Sequence, residues 1–259
     1  GPHDFQLSST DLKRITRADL FISSGLNADD WLRKRIEQQM RKGDWVVRAA
    51  QGLDNALIYE ITELRIDGQK PGGGGHAHGD GHNHDHGGAN PHFWLDPSLA
   101  MGAVSNIAAA LSKADPSNAS IYAQNAAAYA ERLKKLDHDF AARLSPLKQA
   151  AFITYHDAFP YFARRYELNL AGVIEQVPDV NPSFKYLESL SRVIEAQKVR
   201  VIFTEPQFNP RTAENISKRL KTPLASLDPL ETGALKPDYY EEGMRKNLET
   251  LAKTLSVAQ

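Results

Sequence analysis

Apolar residues recur every three or four positions over two long stretches in the middle of the chain, and in short unbroken runs elsewhere. In DPSLAMGAVSNIAAALSKAD, Ala100, Val104, Ile107 and Leu111 fall at helical spacing. Asp115 and Pro116 then supply a cap followed by proline at a first helical position. Tyr122, Ala126, Tyr129, Leu133, Leu136, Phe140 and Leu144 carry the same period on to Pro146. At 1.5 Å per residue, about 29 residues make a rod of roughly 43 Å, longer than a small lobe is wide.

On either side the pattern alternates short apolar runs with amphipathic helices. Before the rod, a capped helix from Thr10 to Ala18, a strand from Leu20 to Ser23, a helix in NADDWLRKRIEQQMRKG and a strand in DWVVRAA follow one another. After it come strand AAFITYH, helix DAFPYFARRY, strand LAGVIEQV, helix FKYLESLSRVIEAQ, strand VRVIFTEP, helix RTAENISKRL, strand PLASLD and helix DYYEEGMRKNLETLAKTL. This order predicts an α/β fold: two parallel-sheet lobes joined by one long backbone helix. The boundaries read as residues 1–96 for the N-terminal lobe, 97–146 for a helical connector and 147–259 for the C-terminal lobe.

The charges are 31 Lys plus Arg against 32 Asp plus Glu, so no net field recruits nucleic acid or an anionic membrane surface. No apolar run is long enough to span a bilayer, and GPHDFQLSST has neither the basic start nor the apolar core of a signal peptide. The chain has no cysteine, which removes disulfides, thiolate catalysis and Cys-type zinc sites, and leaves His, Asp and Glu to hold any metal.

Residues 72–88, GGGGHAHGDGHNHDHGG, interrupt the α/β rhythm with eight glycines and five histidines: His76, His78, His82, His84 and His86. Alternating exposed histidines chelate, but each binding event must order a glycine-rich chain at about 1 kcal/mol or more per residue. Such a loop is expected to bind weakly and unselectively, and a disordered insertion of no consequence is the plain alternative.

Four histidines lie outside this comb. His138 falls off the apolar stripe of the long helix and should face water. His3 precedes the first helix, His92 follows Pro91, and His156 ends the strand AAFITYH; Asp228 ends PLASLD in the same way. Ligands in α/β proteins bind beyond the carboxyl ends of strands. A single loop histidine is ordinarily solvated or bonded to backbone, so these positions gain weight only together. Their separations are unlike any finger or ribbon, so they meet only across a cleft between two lobes. Glu205, ending the strand in FTEP, is a candidate to hold a ligand histidine from behind; a loop-stabilising carboxylate is the competing reading. No H-E-x-x-H, G-x-S-x-G, Walker or dinucleotide motif appears, so no enzyme is predicted.

PHDFQLSSTDLKRITRADLFI, PHFWLDP, TYHDAFPYFARRYEL, VIFTEPQFNPRTAENISKRL and SLDPLETG, in this order, resemble the zinc-specific branch of the cluster A-I substrate-binding proteins, the receptors of ABC importers. That resemblance implies one Zn2+ in the interlobe cleft with His3, His92, His156 and Asp228 as ligands, and a histidine-rich insertion before the second ligand motif. It also implies a periplasmic protein, or a lipid-tethered extracytoplasmic one, that is a monomer and partners an ABC permease and a periplasmic zinc chaperone. Members of the group carry a strand, a helix and a further strand before the first ligand motif. Here His3 is the third residue, which leaves open whether the first lobe is complete.

Three imidazoles and a carboxylate suit four-coordinate zinc, whereas manganese and iron prefer more oxygen. In the manganese branch of the resembling group a glutamate occupies the position of His156, which favours zinc. Copper stands above zinc in the intrinsic order, so affinity alone leaves it open. A zinc hydrolase would need an acid or base beside an open coordination position.

Overall fold

The computed structural model describes residues 7–26, 28–29, 32–33, 36, 46–58, 64, 89–175 and 182–256. His3, all five comb histidines and most of the helix expected over residues 27–43 lie outside them. Near the N-terminus, α1 (Ser9–Ile15) starts at a reciprocal cap: Asp11 N–H donates to Ser8 Oγ at 3.1 Å and Ser8 N–H to Asp11 Oδ2 at 3.0 Å. It ends earlier than the periodicity predicts. Strands β1 (Phe21–Ser23) and β2 (Val46–Arg48) then pair in parallel, Phe21 opposite Val46.

The two central helices are α2 (Pro97–Ala114) and α3 (Ala119–Leu144). Pro116–Asn118 forms a 3-10 turn between them, so the long helix begins three residues later than the cap signal at Asp115 suggests. Its 26 residues still span about 39 Å. Leu133, Leu136, Phe140 and Leu144 are all buried, whereas His138 is exposed as expected. The helix packs along α2 on one side and against the last helix on the other.

Beyond it, β3 (Ala151–His156), β4 (Asn169–Glu175), β5 (Val201–Thr204) and β6 (Leu224–Ser226) form one parallel sheet in the order β4-β3-β5-β6. The crossovers are helices α4 (Pro160–Arg165), α5 (Phe184–Ala196) and α6 (Arg211–Leu220), and α7 (Tyr239–Leu255) closes the chain. Parallel strands covered on both faces read as continuous apolar runs, and every residue of β3 is buried. Phe152 points to the face packed by Leu133, Leu136 and Phe140 of α3 and Leu251 and Leu255 of α7. Ile153 and Tyr155 point to the opposite face, against Leu190, Val193 and Ile194 of α5 and Ile216 of α6.

A third cluster ties the N-terminal part to this body: Ala49 and Ala50 after β2, Phe93, Leu99 and Ala103, and Tyr161 of α4. All four strands of the large sheet run the same way, and His156, Glu205 and Glu231 lie at or beyond their carboxyl ends. The parallel two-sheet α/β organisation with a long helix is the one the alternating pattern predicts.

Candidate metal centre

Because β3 and β5 are parallel neighbours, the residues at their carboxyl ends meet. His156 ends β3 and Glu205 follows β5, and both are almost fully buried. The Glu205 carboxylate accepts His156 Nδ1–H, with Oε1 at 2.8 Å and Oε2 at 2.6 Å, and its Oε1 also accepts the His156 backbone N–H at 3.0 Å. With Nδ1 committed, Nε2 is the nitrogen turned to the cleft. Phe208, three residues beyond Glu205, stacks on Tyr155 at 5.0 Å and meets the His156 ring edge-on at 5.2 Å.

His92 is held by a different device. Asn90 Oδ1 accepts the His92 backbone N–H at 3.0 Å and lies 2.9 Å from its ring Nδ1, while Asn90 Nδ2 donates to the Asp157 carbonyl at 2.7 Å. A backbone N–H on one side and a carbonyl on the other leave the amide one orientation, so His92 Nδ1 donates to Asn90 and Nε2 is the nitrogen turned to the cleft. Tyr161 secures Asn90 in turn, its hydroxyl donating to the Asn90 carbonyl at 2.8 Å. After His92 the chain makes a 3-10 turn over Phe93–Leu95, and buried Asp96 caps α2 by accepting Ser98 N–H at 2.8 Å.

The two imidazoles converge with their Nε2 atoms 3.2 Å apart. Glu231 completes the group: its Oε1 lies 2.8 Å from His92 Nε2 and 3.6 Å from His156 Nε2. Ligand atoms on a four-coordinate zinc with bonds of about 2.0–2.1 Å stand about 3.3 Å apart, and the three observed separations bracket that spacing. Among the described residues this is the one grouping of three such side chains tight enough to hold a metal ion.

Charge balance in the cluster follows from the same contacts. Burial works against a charged His156, but the hydrogen bonds and charges of Glu205 and Glu231 prevail and raise its pKa to about 10. Burial also pushes Glu205 up, with His156 opposing. His156 is therefore held as the imidazolium beside these two carboxylates, and a metal must displace its Nε2 proton to enter.

Of the residues singled out from sequence, His92 and His156 come together and Glu205 touches His156. Asp228 does not join them. Glu231 stands at the histidines where the sequence reading put Asp228, because the turn between them rotates the later carboxylate inward. Asp228 Oδ1 accepts Leu230 N–H at 2.8 Å, and Leu230 takes a left-handed backbone, φ 58°. Asn247 grips Asp228 through both amide atoms, and Trp94 Nε1 donates to the Pro229 carbonyl at 2.8 Å. Gly243 leaves the space that Leu230 fills: a Cβ there would come within 2.4 Å of Leu230 Cδ2. Asp228 thus belongs to the turn that aims Glu231. A cavity of about 420 Å3 opens beside His92 and Glu231, walled by Trp94, Tyr239 and Tyr240 and by Ser24 and Asp29 of the N-terminal part.

The family model described as "ZnuA: Zinc-uptake complex component A periplasmic" matches residues 1–254. The chain belongs to the ZnuA family. The zinc-binding protein AdcA of Streptococcus pyogenes serotype M3 is 35% identical over 270 residues, covering 99% of this chain and 50% of its own length. The zinc-binding lipoprotein AdcA of Streptococcus pneumoniae is 30% identical over 257 residues, covering 98% of this chain and 49% of its own. The chain thus spans about half the length of the curated relatives it matches. Among solved structures, the Zn(II)-bound AdcAII variant of Streptococcus pneumoniae has a TM-score of 0.77 at 27% identity, covering 99% of this ZnuA-family chain and 87% of the other. FpvC of Pseudomonas aeruginosa with Ni2+ also scores 0.77, at 28% identity, with 100% and 86% covered.

Asn90 and Glu231 escaped the sequence reading. Asn90 stands two residues before His92 and reads as ordinary turn chemistry. Glu231 shares SLDPLETG with Asp228, and nothing in the spacing says which carboxylate a left-handed Leu230 turns inward.

Proposed function

We propose that this chain is a metal receptor that captures Zn2+ in the cleft and hands it to an ABC permease for uptake. The observation that carries the reading is the convergence of His92 Nε2, His156 Nε2 and Glu231 Oε1 at zinc-like spacing. Both imidazoles are held from behind through Nδ1, by Asn90 and Glu205, so that both present Nε2. His3 supplies the remaining ligand. Four protein ligands leave no position for a nucleophilic water, and Glu205 and Glu231 are both engaged, which favours carriage of the metal over hydrolysis.

Two nitrogens and one carboxylate favour zinc over manganese, which prefers oxygen donors. Relatives whose names state zinc binding or zinc uptake support the same choice. The histidine comb assists zinc capture by weak binding. The receptor works outside the cytoplasm as a monomer and exchanges zinc with a chaperone there. Among the described residues no helix is long and apolar enough to cross a membrane.

Calorimetric zinc titration of the intact chain, of His156→Ala and of a variant lacking residues 72–88 tests the assignment. One tight site lost only in His156→Ala, with weaker sites lost only in the deletion, is the expected pattern. Tight binding that disappears with the comb and persists in His156→Ala would refute it.

A further inference from the structure

Gln207 lies in the turn after β5 and has no place in the ligand set, yet its amide nitrogen reaches both carboxylates of the site. Nε2 donates to Glu205 Oε2 at 3.1 Å and to Glu231 Oε2 at 3.3 Å. An amide NH2 has two hydrogens, and here each points at a different carboxylate. The opposite orientation would turn the amide oxygen toward two anions, so the chemistry of the partners decides which atom is nitrogen.

The consequence falls on Glu231. Its Oε1 faces the two imidazoles and its Oε2 faces Gln207. A carboxylate with both oxygens free can bind a metal through one or both, and the second oxygen raises the coordination number. Gln207 occupies that oxygen. Glu205 cannot add an oxygen either, since its Oε1 accepts two donors of His156 and its Oε2 accepts Gln207.

We infer that Gln207 is a specificity-determining positioning residue: by holding Glu231 Oε2 away from the metal it keeps the site four-coordinate and so selects Zn2+ over oxygen-seeking cations such as Mn2+. This rests on the zinc-receptor reading above. Gln207 is positioned by its neighbours: Phe208 packs on Tyr155 and His156, and Phe208 N–H donates to the Glu205 carbonyl at 3.3 Å.

The test replaces the donor and keeps the bulk, as Gln207→Met, in the full chain. Cobalt(II) is the spectroscopic probe, because four-coordinate Co2+ absorbs visible light far more strongly than five- or six-coordinate Co2+. The wild-type chain should give the intense four-coordinate bands. In Gln207→Met these should weaken, zinc affinity should fall roughly tenfold, and the Mn2+-to-Zn2+ affinity ratio should rise. A folded Gln207→Met chain with unchanged bands and an unchanged ratio overturns the inference. Should that variant fail to fold, Gln207→Ala is measured in the same way and judged by the same outcomes. His156→Ala separates the two levels: four-coordinate cobalt surviving that substitution would remove the cleft site itself, whereas its loss there with no response at Gln207 would remove only the role of the amide.

Discussion

Asn90 Oδ1 accepts two hydrogen bonds from His92, one from the backbone N–H at 3.0 Å and one from ring Nδ1 at 2.9 Å. A single atom thus sets the backbone entry to His92 and the tautomer of its ring. Replacing it with Asn90→Leu leaves the ring free to rotate and either nitrogen free to carry the proton. Zinc affinity should fall about 10–100-fold, measured by competition with a chelating dye. A folded variant with wild-type affinity would show that His92 needs no such support.

Asp228 and Glu231 separate two roles that sequence alone confuses. Asp228 accepts the Leu230 N–H through a carbonyl-type oxygen, a task an asparagine performs equally well. Asp228→Asn should therefore retain zinc affinity to within a few-fold, whereas Glu231→Gln should lose roughly 100-fold because a carboxamide is a poor zinc ligand. The reverse ranking in a direct titration would make Asp228 the ligand and reduce Glu231 to a bystander.

The proton held at His156 predicts a pH dependence with opposite signs for folding and for binding. Its pKa lies above the ordinary 6.5, at about 10. The protonated imidazole therefore stabilises the fold fully below about 6.5, and that contribution is lost as pH rises through about 10. Zinc needs the deprotonated ring, so its affinity should rise with pH across this window, by up to about tenfold per unit. Calorimetry at pH 7.5 in buffers of different ionisation enthalpy should report net proton release. No release, and equal affinities at pH 6.5 and 8.5, would rule out proton competition at this site.

The fold was legible because its signals are local and repeated. Leu133, Leu136, Phe140 and Leu144 mark the buried face of α3 by spacing alone, and the apolar run Ala150–Ile153 marks a strand covered on both faces. The histidines were legible because only four of the nine lie outside residues 72–88, and a ligand type at a strand end stands where α/β proteins bind ligands. What stayed hidden depends on backbone rotation and on contacts across the chain. Leu230 at φ 58° decides which carboxylate enters the cleft, and a positive φ at a leucine leaves no mark in the sequence. Asn90 and Gln207 act through side-chain hydrogen bonds to residues that only the folded sheet brings near.

Phe140 offers the control that separates stability from metal chemistry. It is fully buried on α3, stacked on Tyr166 at 5.3 Å and edge-on to Phe162 at 5.4 Å, on the face of the sheet covered by α3 and α7. The metal cluster lies beyond the strand ends and shares none of these contacts. Phe140→Ala should cost about 3–5 kcal/mol through lost burial and the cavity left behind. In a chain of this size that is a fall in melting temperature on the order of 10 °C. Added zinc should then raise the melting temperature of the variant by a similar increment to wild type, because that increment depends on zinc concentration relative to Kd and not on the core. If the zinc-dependent increment collapsed along with the melting temperature, the core under α3 and the metal cluster would be one cooperative unit, and independence of site and core would be refuted.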